Sequence, residues 1–146
     1  MGVSIRIKQV LVGVLALTGF YVGLWAVAWP HQFYDSFPGF GRHWVAVLGP
    51  YNEYLVRDVG GLYLAMAIVS AWACARPRGE VLAMVGLGWL GFNILHCIYH
   101  MNHLDMYDGV DQAGNAITLV GMVILAALLL VPELARRRRM SPREGR

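Results

Sequence analysis

His96, His100 and His103 close a long apolar segment in the stretch "NILHCIYHMNHLD", residues 93–105. Imidazole can ligate a metal, exchange a proton near neutral pH, or hydrogen-bond a ligand. At about 100° per residue, these histidines share one helical stripe roughly 60° wide, with Asn93 beside it. Residues three and four apart on a helix touch. The H-x-x-x-H pair therefore suits two ligands on one divalent metal, and His103 extends the row. Three readings stay open: a metal centre at His96, His100 and His103, a site for a ligand or a proton, and interfacial histidines that cap a helix end. Because unperturbed histidine titrates near pH 6.5, binding to neutral imidazoles is expected to weaken below about pH 6.

"YNEYLVRDVGG", residues 51–61, supplies candidate partners. Glu53 and Arg57, spaced i, i+4, predict an ion pair on a helix. Asp58 points about 100° away from Arg57, and the sequence beyond it, Val59 to Met66, is apolar. A charge inside an apolar helix normally faces the bundle and finds a partner, so Asp58 is expected inside, near Arg57 or a histidine. Asp105 places one more carboxylate beside the row. The candidate ligand-binding site is thus His96, His100, His103, Glu53, Arg57, Asp58 and Asp105, and no residue is assigned a catalytic role.

The elements that must carry these residues are apolar spans. The chain of 146 residues is 58% hydrophobic and 14% charged, with mean hydropathy +0.51. Soluble domains carry about 25% charged residues. Four stretches, roughly 9–29, 54–75, 81–100 and 113–132, are apolar for about 20 residues each, the length that crosses a bilayer. None shows the continuous polar face of a soluble helix. The expected fold is all-α: an integral membrane four-helix bundle over residues 1–135, followed by a basic tail, 136–146.

Charge placement orients it. Ten of the twelve Lys and Arg lie at Arg6 and Lys8, at Arg76 and Arg78, and in the tail. The positive-inside rule puts those regions in the cytoplasm, both termini included, for a multi-pass protein of the inner (plasma) membrane. The tail then suits anionic headgroups, and a nucleic-acid partner is not expected. All five histidines and most carboxylates fall on the opposite, outer side.

Residues 1–28 have the basic start and apolar core of a signal peptide, but the apolar run exceeds the usual core length and Pro30 follows. An uncleaved first helix is expected. Gly19 and Gly23 form a small-xxx-small pair, and Gly88 and Gly91 form a thinner patch. Cys74 and Cys97 fall at opposite ends of the bundle, too far apart for a disulfide. The segment 29–54 holds eight of the seventeen aromatic residues. Pro30, Pro38 and Pro50 break any continuous helix there, leaving "RHWVAVL" to form one or two turns. Such aromatic density belongs at a membrane interface, and the loop is expected to fold over the outer mouth as a lid.

The four-span layout and the pattern "LVRDVGGLYLAMAI" resemble the DoxX-like group of small bacterial membrane proteins. "FPGFGRHWV", "PYNEYLVRD" and "HCIYHMNHLD" are closer still to a set of uncharacterised actinobacterial membrane proteins. The DoxX-like resemblance implies a link to quinol-coupled chemistry, and so a quinone or lipid-like ligand. Histidine-box diiron enzymes need more histidines than the five here, and a b-type haem needs axial histidines on facing helices. The expected function is a small polytopic membrane protein whose outward-facing His/Asp/Glu/Arg site binds a quinone- or lipid-like ligand in a redox-associated role. The alternative is a non-enzymatic accessory or metal-binding subunit that meets a homo-oligomeric or membrane-complex partner.

Overall fold

The computed structural model describes residues 2–133; the tail 136–146 lies outside the described residues. Helices α1 (Ile5–Ala28), α2 (Pro30–Ser36), α3 (Glu53–Ala75), α4 (Gly79–Met101) and α5 (Gly109–Leu130) follow one another, with 3-10 turns at Ala46–Leu48 and Leu104–Met106. Four of them, all but α2, are long and apolar enough to cross a membrane. The chain is a multi-pass helical membrane bundle. Leu17, Met84, Leu95, Val110 and Ile117 on its outside are 71% to 74% exposed, an apolar exterior that matches lipid rather than water.

Side-chain caps begin two of the helices. The Ile7 N–H donates to Ser4 Oγ at 3.3 Å, and the Leu55 N–H donates to Asn52 Oδ1 at 3.2 Å, each satisfying an amide that the helix leaves orphaned. Pro30 stops α1 and opens α2, where its fixed φ and missing N–H fit the first turn. The spans match the apolar runs except at their ends: α5 begins at Gly109, four residues before the run does. Hydropathy sees only side chains, whereas a helix also recruits polar first-turn residues whose backbone carbonyls accept from the amides of the next turn.

The bundle is assembled from two tight pairs, α1 with α3 and α4 with α5. The first seam is made by the expected Gly19/Gly23 pair. A Cβ on Gly23 would stand 2.7 Å from Leu64 Cγ and 2.9 Å from the Gly60 carbonyl oxygen, so only glycine lets the backbones approach this closely. The second seam uses Gly86, where a Cβ would stand 2.7 Å from Leu129 Cβ. Gly88 and Gly91, the patch singled out in the sequence, meet nothing within 4 Å. The pairs join through aromatics: Tyr63 lies edge-on to Trp89 and Phe92. Buried Trp89 Nε1 donates to Ser70 Oγ at 2.8 Å, and Ser70 Oγ donates to the Met66 carbonyl at 2.7 Å. In an apolar interior each of these polar groups needs such a partner.

The Val3 N–H donates to the Pro132 carbonyl at 2.9 Å, and Gln9 Nε2 donates to the Cys74 carbonyl at 2.8 Å. The chain start, the end of α3 and the end of α5 therefore share one end of the bundle. Cys74 and Cys97 are both free thiols.

Candidate functional site

The opposite end carries the polar side chains, in three groups. The first is the histidine row on the last turns of α4. His96 stacks on Phe92 with ring centroids 5.1 Å apart, and His100 lies edge-on to His96 at 4.3 Å. Leu95, Ile98 and Met101, on the other face, are exposed. The row thus faces into the bundle, as the sequence predicts, with Tyr63 of α3 against Phe92 at its inner end. Nδ1 of His100 is buried and has no hydrogen-bond partner among the described residues. His103 leaves the row: it stacks on Tyr99 at 4.3 Å, and its Nδ1 donates to the Tyr99 carbonyl at 2.7 Å.

Among the described residues no three His, Cys, Asp or Glu side chains gather closely enough to share a metal ion. The physical reason is the break after Met101, where α4 ends and His103 adopts non-helical dihedrals. The ideal stripe of three imidazoles becomes a pair.

The second group lies on the other helix pair. Arg57 Nε donates to Glu53 Oε1 at 2.8 Å, the expected i, i+4 pair, and Arg57 Nη1 donates to the Val27 carbonyl at 2.5 Å. The guanidinium thereby satisfies a free carbonyl at the end of α1, where the helix dipole favours a cation. On α2, His31 Nδ1 lies 2.8 Å from Asp35 Oδ2. His31, Asp35 and Tyr51 were absent from the sequence-derived site. The i, i+4 spacing of His31 and Asp35 signals the pair once Pro30 is recognised as a helix start.

Asp58 departs from expectation. It is exposed on α3 and makes no ion pair or hydrogen bond among the described residues. The close α1–α3 seam is the reason: the helix turns Val56, Gly60 and Tyr63 inward, which leaves Asp58 on the outer face. Glu53 and Asp58 are accordingly not partners of the histidine row. Asp105 lies in the 3-10 turn Leu104–Met106 and is exposed.

The third group fastens the aromatic loop. Asp111 of α5 accepts from Arg42 Nη1 at 2.9 Å and from Trp44 Nε1 at 2.8 Å. The Tyr107 hydroxyl donates to the Trp44 carbonyl at 2.8 Å, and the Tyr34 hydroxyl donates to the Gly49 carbonyl at 2.7 Å. Trp25, Phe33 and Phe37 pack together beneath. The segment is thus a fastened cover that runs from α1 across to α5. Burial pushes the Tyr107 hydroxyl up to about 12.

Four apolar spans with an acidic, histidine-bearing rim define a small multi-pass membrane protein. The chain belongs to the DUF4345 family, a domain of unknown function, whose model matches residues 7–95. That match takes in α1, the aromatic cover, α3 and most of α4, and stops one residue short of His96. No curated protein and no solved structure matches the chain.

Proposed function

We propose that the chain is a membrane-embedded binding protein for an amphipathic ring ligand of the quinone class, held at the end of α4 by His96 and His100. The unpartnered, buried Nδ1 of His100 carries this reading. A buried polar group without a partner costs about 1–3 kcal/mol, which a ligand carbonyl or hydroxyl would recover. Tyr99 lies edge-on to His100, and Phe92 with Tyr63 continues the aromatic surface past His96, which suits a ring. Imidazole gives or takes protons near neutral pH, which suits a ligand whose redox states differ in protonation. The pairing of only two histidines favours this over a metal centre. The partition of Arg6, Lys8, Arg76 and Arg78 to the other end supports cytoplasmic termini in the inner membrane, so the row opens outward.

Exposed Asp58 supports a second reading, an accessory subunit. A carboxylate about 7 Å along a span with no partner among the described residues suits a polar group on a neighbouring membrane protein or a second copy. Mass spectrometry and elemental analysis of protein purified in mild detergent separate these readings. A co-purifying quinone that is lost in His100→Ala supports the first. A stoichiometric metal, or a partner chain with no small molecule, contradicts it.

A further inference from the structure

A cleft of about 620 Å³ opens between α2 and the start of α3, lined by none of the residues of α4 or α5. Its walls carry the two pairs already described: the His31 imidazole with Asp35 on α2, and the Glu53–Arg57 ion pair on α3. Tyr51 also lines the cleft, its ring 4.8 Å from that of His31. Arg57 is fixed from two sides, by Glu53 and by the Val27 carbonyl. Two carboxylates thus share a cleft with one immobilised guanidinium and one imidazole.

That lining selects for a zwitterion. An ammonium group has three N–H donors and no acceptor, and it matches carboxylate oxygens on both walls. A phosphate has acceptors only, and it matches the guanidinium. The cleft sits where two spans reach the membrane boundary, with Trp29 and Tyr54 exposed beside it at the level of an aromatic belt. That is headgroup depth. A choline headgroup has no N–H to give the carboxylates, and a glycerol headgroup brings no cation. We propose that this cleft binds the headgroup of an ethanolamine phospholipid, with its ammonium at Asp35 and Glu53 and its phosphate at Arg57. The site is separate from the histidine row, and neither depends on the other.

Native mass spectrometry of the full chain in detergent, titrated with short-chain phosphatidylethanolamine, phosphatidylcholine and phosphatidylglycerol, tests this. Wild type is expected to hold the ethanolamine lipid about tenfold more tightly than the other two, the worth of one charge-assisted hydrogen bond. Asp35→Asn combined with Glu53→Gln should bring it down to the level of the choline lipid. Asp35→Glu keeps the charge and should keep the preference, which separates lost recognition from lost folding. Equal retention of the three lipids by wild type, or a preference that survives the double variant, overturns the proposal. Free phosphoethanolamine bound as tightly as the lipid overturns the lipid source.

Discussion

The two helix pairs handle their polar groups in opposite ways. Along α1 and α3 the seam is built on glycine and small residues, and at its histidine end Arg57 pairs with Glu53 and His31 meets Asp35, with Asp58 left exposed. Along α4 and α5 the seam includes buried polar side chains. Asn93 and Asn115 are each 3% exposed, Asn93 Nδ2 reaches the Met122 carbonyl only at 3.5 Å, and among the described residues His100 Nδ1 has no partner. In an apolar medium, unused hydrogen-bonding capacity is costly unless something uses it. The contrast teaches where to look. The α1–α3 pair is a scaffold with a charged mouth, and the α4–α5 pair buries a histidine nitrogen that has no partner among the described residues.

The largest effect should come from breaking the scaffold seam. Gly23→Leu drives a side chain into Leu64 and the Gly60 carbonyl. Overpacking costs about 1–3 kcal/mol, with more where backbone must move, as here. Gly91→Leu meets open space and should stay within about 0.5 kcal/mol. Thermal unfolding in detergent compares the two. Equal melting temperatures would dissolve the distinction between a glycine-built seam and lipid-facing glycines.

A smaller effect is expected where the aromatic cover crosses from one pair to the other. Asp111→Ala removes both the Arg42 and the Trp44 bonds. Arg42 is half-exposed, so the loss should be near the low end for charge-assisted bonds, about 1–2 kcal/mol. It should appear as faster amide hydrogen exchange over residues 37–48 with little change in the spans. Asp58→Ala, at an exposed and unpaired carboxylate, should alter stability by about 0.5 kcal/mol or less. A loss for Asp58→Ala as large as that for Asp111→Ala would mean that Asp58 is buried against a partner.

Much of this architecture was legible in the sequence, because bilayer thickness and side-chain hydropathy constrain the same lengths. The Gly19/Gly23 seam and the Glu53–Arg57 pair followed from spacing alone, since i and i+4 share a face on any helix. The inward direction of the histidine row followed from the apolar residues opposite it. What escaped depended on relations between helices. Asp58 was expected inside because burial was inferred from one helix, whereas its direction is set by which face α3 presents to α1. His103 was placed on the row because ideal periodicity does not show that α4 stops at Met101. Asp111 was read only as part of the acidic rim, since its donors lie on a loop some seventy residues earlier. Gly86 was overlooked in favour of Gly88 and Gly91 because contact between α4 and α5 has no sequence period of its own.

The central claim is that His100 offers its unpaired nitrogen to a ligand while the charged mouth of the α1–α3 pair does not take part. Isothermal titration of a short-chain quinone into wild type, His100→Ala and Glu53→Gln addresses it most directly. His100→Ala should weaken binding about tenfold or more, a change of roughly 1.4 kcal/mol, and Glu53→Gln should leave it unchanged. Equal affinity for wild type and His100→Ala, or a loss confined to Glu53→Gln, would contradict the account.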